Sequence, residues 1–219
     1  MGKTILTANQ CLVLEQAAKD KRITDWFYFT GGTALSEFYL QHRLSEDLDF
    51  FSVSPIHQQI TDKFIEEAAR KLSADFVKKS IMGHAVFTLN FKDTSTLKID
   101  FVYQPFDQLE LGKKYQNLTI ASLWDIIVDK LYTIFLRATA RDFIDLYFGI
   151  RKLDCNLSQL IKAMEEKYQT DFDRLSLLSR LPVVKDVVDY PKMLVPFNKE
   201  KMVEFYLKLM RNIEKEIFQ

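Results

Sequence analysis

Glycine is scarce in this chain. Six in 219 residues is under half of the roughly 7% of average usage. A chain so short of glycine cannot rely on many glycine turns, which points to a high helix content. Cysteine is scarcer still, with only Cys11 and Cys155. No CxxC pair exists and the three histidines (His42, His57, His84) are dispersed, which argues against a Cys/His zinc site and a Cys–His nucleophile pair. Both thiols read as buried residues among apolar helix neighbours. Neither sign of charge is in excess: Lys+Arg and Asp+Glu stand at 30 each, so no global basic field is available to hold nucleic acid. No apolar run approaches the ~20 residues that span a bilayer. The first ten residues, MGKTILTANQ, lack the apolar core of a secretion signal. The expectation is a cytoplasmic protein with no membrane contact.

What is present is an ordinary globular composition, 47% hydrophobic and 27% charged. The length suits one domain with an appendage or two small domains. Periodicity predicts an opening helix over 8–20 and a short aromatic strand from Trp26 to Phe29, ending at Thr30-Gly31-Gly32. A helix over Thr33 to Gln41, a strand over 47–53 and a helix over 57–72 follow. Three strands are predicted near 75–80, 84–92 and 96–103, the second alternating clearly through Phe87, Leu89 and Phe91. Beyond about residue 120 the pattern is helical: 121–137, 140–152, 157–168, 173–180 and 199–217. The segment 181–198, with three of the five prolines, reads as a long connection with a helical turn. The class is α+β, with a helical C-terminal half beginning near 105–120.

Three elements with chemical potential lie in this frame. The first is the strand–Gly31–Gly32–helix turn. It is either a tight turn or a place where backbone approaches a ligand closely, with the N–H groups of a helix start facing an anion. The second is Asp47-Leu48-Asp49. Residues two apart on a strand share a face, and two carboxylates on one face repel unless a cation lies between them. Oxygen ligands suit Mg²⁺ or Mn²⁺, while a solvated strand face is the plainer alternative. The third is Asp100 in LKIDFVY, where Leu97, Ile99 and Phe101 alternate as the buried side and Asp100 shares the other with Lys98. It is either a third carboxylate for the same metals or the partner of Lys98 or Arg43. Three carboxylates holding two divalent ions can bind a nucleoside triphosphate for in-line displacement. Arg43 either contacts phosphate bidentately or pins its loop through Glu46 or Asp47. Ser45 is a candidate partner of the carboxylates, and the histidines are given no role. The basic pairs Lys78-Lys79 and Lys113-Lys114 are candidate backbone contacts for RNA or simply solvated.

The block GGTALSEFYLQHRLSEDLDFF, residues 31–51, with the downstream KID and RDFIDLYF, resembles the AbiEii-type nucleotidyltransferases of the DNA polymerase β-like nucleotidyltransferase superfamily. The resemblance covers roughly residues 10–150, and residues 155–219 carry no motif. It implies a mixed sheet with flanking helices, the nucleotidyltransferase catalytic domain over 1–118, followed by a helical domain over 119–219. It implies Asp47, Asp49 and Asp100 as catalytic metal ligands, and Gly31, Gly32, Thr33, Arg43 and Ser45 at the nucleotide's phosphates. Lys130 matches the family lysine that reaches the triphosphate. Asp142 or Asp145, in the R-D-x-x-D-L-Y block, would hold that lysine or assist proton transfer. Without the resemblance, Lys130 reads as an exposed helix residue and Arg141 as the i,i+4 partner of Asp145.

The implied activity is a metal-dependent transfer of a nucleoside monophosphate from an NTP, with Mg²⁺ or Mn²⁺, to an acceptor hydroxyl, releasing pyrophosphate. The implied setting is the toxin of a bacterial toxin–antitoxin or phage-defence pair, with RNA or tRNA as acceptor and a winged-helix antitoxin as partner. Two alternatives are a non-catalytic nucleotide-binding module of the same fold and a DxD glycosyltransferase. The short spacing from Gly31 to Asp47 speaks against the latter.

Overall fold

The computed structural model describes residues 4–81 and 83–218, with side chains as far as 215. The chain forms two compact units. The first comprises residues 1–39, 44–107 and 111–122; the second comprises 40–43, 108–110 and 123–219.

The first unit is built on a seven-stranded mixed sheet. Its strands are β1 (Tyr28–Thr30), β2 (Leu48–Ser52), β3 (Asp75–Ile81), β4 (His84–Asn90), β5 (Thr96–Tyr103), β6 (Lys113–Tyr115) and β7 (Leu118–Ile120), in the order β3-β4-β5-β2-β1-β7-β6. β2 runs parallel to β5 and antiparallel to β1, and β1 is parallel to β7. Registered rows cross the centre of the sheet: Phe29 pairs with Phe50, Phe50 with Phe101 and Phe101 with Ala85. These side chains form the core on one face. The Phe50 and Phe101 rings stack at 5.3 Å, and Phe64 of helix α4 (Gln58–Leu72) meets Phe101 edge-on. The next row along, Thr30–Asp49–Asp100–Val86, points to the opposite face because alternate strand residues alternate sides.

Helix α1 (Ala8–Lys19) opens the unit, with Thr7 and Gln10 closing a reciprocal capping box. A four-residue helix, α2 (Lys21–Thr24), comes next, capped by the Asp20 carboxylate on the Arg22 N–H. The sequence pattern does not show it because four residues carry no period. It also shifts the start of β1, which begins at Tyr28 and not at Trp26. The helix expected over 33–41 is broken into α3 (Gly31–Leu35) and a π-helical turn, Ser36–Leu40. β6 and β7 have three residues each, too short to show an alternation, and were not expected.

The second unit consists of helices α5 (Leu123–Leu136), α6 (Ala140–Leu153), α7 (Leu157–Tyr168), α8 (Arg174–Arg180) and α9 (Lys199–Phe218), with a 3₁₀ turn at Leu181–Lys185. α5 and α6 pack at a point where Gly149 faces Ile127; a Cβ on Gly149 would lie 2.0 Å from the Ile127 Cδ1. Lys167 of α7 is buried and reaches Asp125 and Asp129 of α5, at 2.9 and 2.6 Å. The Tyr206 hydroxyl donates to the Phe143 carbonyl at 2.6 Å, tying α9 to α6. Cys155 is half-buried and sits between α6 and α7, not within a helix, because Asp154 adopts the left-handed cap that ends α6.

Candidate functional site

In the first unit the turn from β1 into α3 places Gly31 in the left-handed region, at φ +73°. A Cβ there would lie 2.0 Å from the Asp49 Oδ2. The glycine is therefore required twice, by its backbone angle and by the carboxylate beside it. Thr33 is fully buried, and its hydroxyl donates to the Asp47 carbonyl, which fixes the chain just before β2. Gln10, 2% exposed, donates through its side-chain amide to the carbonyls of Ser45 and Glu46 at 2.9 and 3.0 Å. The segment leading to the D-x-D pair is thus held from both sides.

Asp49 and Asp100 are register partners on the parallel pair β2/β5. Asp47 precedes Asp49 by two residues, on the same side. Lys98 joins them: its Nζ lies 2.6 Å from the Asp100 Oδ2 and 3.8 Å from the Asp47 Oδ2. Burial alone would lower the Lys98 pKa, but the hydrogen bond to Asp100 and the charges of Asp100, Asp47 and Asp49 outweigh it and raise the value. His84 Nε2 is 2.7 Å from the other Asp100 oxygen. The Asp100 side chain is only 3% exposed, with one oxygen on His84 and the other on Lys98.

The donor chemistry of this carboxylate face suits a hard divalent cation. The donors are oxygens, Asp49 and Asp100 sit side by side on adjacent parallel strands, and Gly31 has no side chain where the Asp49 Oδ2 packs against it. Among the described residues no three Asp, Glu, His or Cys side chains form a ready-made cage. Mg²⁺ does not require one, because it is commonly held by one or two carboxylates with phosphate oxygens and water completing the octahedron.

The second unit contains the remaining expected residues. Arg43 is 2% exposed, and its Nε and Nη2 donate to the two oxygens of Asp145 at 2.6 and 2.7 Å. His42 Nε2 lies 2.8 Å from the same carboxylate. Lys130 Nζ is 2.8 Å from Asp145 and 2.9 Å from Asp142. Asp142 also accepts from the Thr139 hydroxyl at the start of α6. Burial would raise the Asp145 pKa, but Lys130 and Arg43 override it and hold the carboxyl well below its usual range. Lys130 behaves in mirror image: burial lowers its pKa, Asp145 and Asp142 more than reverse this, and the net shift is upward.

The reading of Lys130 as an exposed residue does not hold, since its side chain is 13% exposed. Arg141, expected beside Asp145, is exposed. No local pattern points to His42 or His84, whose partners lie 103 and 16 residues away. Only the β4–β5 register, with Val86 opposite Asp100, brings His84 within diagonal reach. The lysine pairs are partly engaged: Lys78 with Asp62, Lys113 with the Phe38 carbonyl and Lys114 with Thr119.

Comparison with known proteins places the chain in a family. The nucleotidyl transferase AbiEii toxin family, of type IV toxin–antitoxin systems, matches residues 13–209. The chain belongs to that family. An uncharacterized protein of Aquifex aeolicus (strain VF5) is 32% identical over 189 residues, spanning 82% of this chain and 87% of that one. Two crystal structures from Helicobacter pylori share the fold. One, a proposed nucleotidyltransferase, has a TM-score of 0.59 at 21% identity, covering 96% of this chain and 97% of its own. The other, JHP933, has a TM-score of 0.53 at 21% identity, covering 94% and 92%. The AbiEii family match extends well beyond residue 155, into the helices where no motif is legible. Among the described residues no helix is long and apolar enough to cross a membrane.

Proposed function

We propose that this AbiEii family member is a metal-dependent nucleotidyltransferase that moves a nucleoside monophosphate from an NTP to an acceptor hydroxyl. The observation that carries the reading is the pairing of Asp49 with Asp100 across β2/β5, with Asp47 facing the same Lys98 as Asp100 and the Asp49 carboxylate packed against Gly31. In the transfer, the acceptor oxygen bonds to the α-phosphorus, the bond from the α-phosphorus to the bridging oxygen breaks, and pyrophosphate leaves. Bound Mg²⁺ or Mn²⁺ would supply Lewis acidity toward the phosphate oxygens. Asp47 and Asp49 are the residues proposed to hold it, with Asp100 as the third carboxylate. Thr33 keeps the Asp47 backbone in place. Gly31 and Gly32 allow backbone to approach phosphate, and Ser45 is kept as a candidate contact.

In the helical unit Lys130 is the proposed phosphate lysine, oriented by Asp142 and Asp145. Asp145 receives donors from His42, Arg43 and Lys130, and its depressed pKa makes it a poor base. Its role in this reading is to orient Lys130, which leaves Asp142 as the better candidate for proton transfer. Arg43 is committed to Asp145, so it too acts as a positioning residue.

The proposed division is a catalytic domain over 1–118 and a helical domain over 119–219. The proposed setting is a cytoplasmic toxin of a toxin–antitoxin or phage-defence pair, with RNA or tRNA as acceptor and a winged-helix protein as antitoxin. Incubation with each α-labelled NTP, Mg²⁺ and total RNA tests the reading. Wild-type protein should transfer label and Asp49→Asn should not. Folded wild-type protein that labels nothing would favour a nucleotide-binding module, and equal labelling by Asp49→Asn would remove Asp49 from the metal site.

A further inference from the structure

Lys98 lies on the carboxylate face yet belongs to no part of the chemistry described above. It is two residues before Asp100 on β5, so its side chain leaves the strand on the same side. Its Nζ contacts the Asp100 Oδ2 at 2.6 Å and faces the Asp47 Oδ2 at 3.8 Å. An ammonium that close to a carboxylate oxygen occupies space and lone pairs that a divalent ion would use, since metal–oxygen bonds of about 2.1 Å are required for Mg²⁺. Two cations crowded onto one oxygen repel each other, which favours exchange over sharing. Lys98 also has a route of withdrawal: its side chain is 44% exposed, whereas Asp100 is 3% exposed and fixed within the sheet. Lysine is a compact charge on a flexible four-carbon stem, suited to leaving one position for another without moving the backbone.

We propose that Lys98 is a displaceable internal cation, which holds Asp47 and Asp100 together before metal binds and is exchanged for the incoming divalent ion. This rests on the metal-dependent reading given above. Lys98 is here a positioning residue, one that sets how strongly the carboxylates bind metal. One feature fits the exchange. The opposite oxygen of Asp100 remains engaged by His84, which keeps the carboxylate oriented while Lys98 departs.

The test is Mn²⁺ binding to the full chain, followed by titration calorimetry without nucleotide. Lys98→Met removes the competing cation and should bind Mn²⁺ about tenfold more tightly or better. Lys98→Arg keeps the charge and should stay near wild type. The metal-free Lys98→Met protein should melt below wild type, and Mn²⁺ should raise its melting temperature by more than it raises that of wild type. A purely structural lysine would lower the melting temperature and leave Mn²⁺ affinity unchanged; that result overturns the proposal but not the metal site. Absence of Mn²⁺ binding by both wild type and Lys98→Met overturns both. A second measurement needs no variant. The rate at which an amine-acylating reagent modifies Lys98, read by mass spectrometry, should rise when Mn²⁺ is added. An unchanged or slower rate is contrary to the exchange.

Discussion

Arg43 grips both oxygens of Asp145, through Nε at 2.6 Å and Nη2 at 2.7 Å, and both side chains are buried. A bidentate guanidinium–carboxylate pair is among the stronger polar contacts in proteins, and here Lys130 and His42 complete the set. Asp145→Asn keeps the shape and removes the charge. Arg43 would be left buried without its counter-ion, and the loss is expected to be about 3–5 kcal/mol. Urea unfolding monitored by far-UV circular dichroism measures it. A change below about 1 kcal/mol would mean that the pair contributes little beyond orientation.

The pH dependence of that difference follows from linkage. The folded Asp145 pKa is depressed, so its contribution is fully present above the unfolded value of ~3.9. It is lost progressively as pH falls below that value toward the lower folded one. Wild type and Asp145→Asn should therefore differ by a constant amount from about pH 5 to 8 and converge in strong acid. Lys130, whose folded pKa is raised, contributes below the unfolded value of ~10.4 and loses that contribution as pH rises through the folded one. Stability curves at stepped pH check both signs.

Gly31→Ala should impair the carboxylate site. The substitution forces a side chain into φ +73° and brings a carbon to 2.0 Å from the Asp49 Oδ2. The backbone cost is about 1–2 kcal/mol, and displacement of Asp49 should lower nucleotidyl transfer by roughly 100-fold. Label transfer by the variant, corrected for folded fraction, reads the effect. Wild-type rates would show that Asp49 is free to move away.

How much of this was legible from sequence depends on the distance between partners. The carboxylate face could be read because strand parity is local: Asp47 and Asp49 are two apart, and Asp100 alternates with Leu97, Ile99 and Phe101. The helices of 12 or more residues were legible from their apolar spacing. In the Asp145 cluster the contact with Lys130 was implied by the family resemblance, but the partners Arg43 and His42 were not legible, because they come from over a hundred residues away. The π turn at Ser36–Leu40 was hidden by a composition that also suits an α-helix. Lys98 was visible as a salt-bridge partner for Asp100, but only the structure shows it reaching Asp47 as well.

Gly149→Ala tests packing away from the carboxylate face. In a solvated helix the change would stabilise by about 1 kcal/mol. Here the new methyl would meet Ile127 Cδ1 at 2.0 Å, and overpacking should instead cost about 1–3 kcal/mol. Ile127→Ala opens a cavity alone, yet the two together should be less damaging than their sum. A double-mutant cycle in thermal unfolding gives the sign, and additivity would mean that the helices separate to make room.

The position of β5 between β2 and β4 also limits how the chain can change in length. The residues between β4 and β5, 91–95, form a turn that is free to grow or shrink. An insertion between Leu97 and Asp100 is another matter. It would turn Asp100 toward the rings of Phe50 and Phe64 and send Phe101 into water, reversing both faces with one added residue. Length variation in related chains should therefore gather in the turns and spare the five residues Thr96–Asp100, whatever else about those residues drifts.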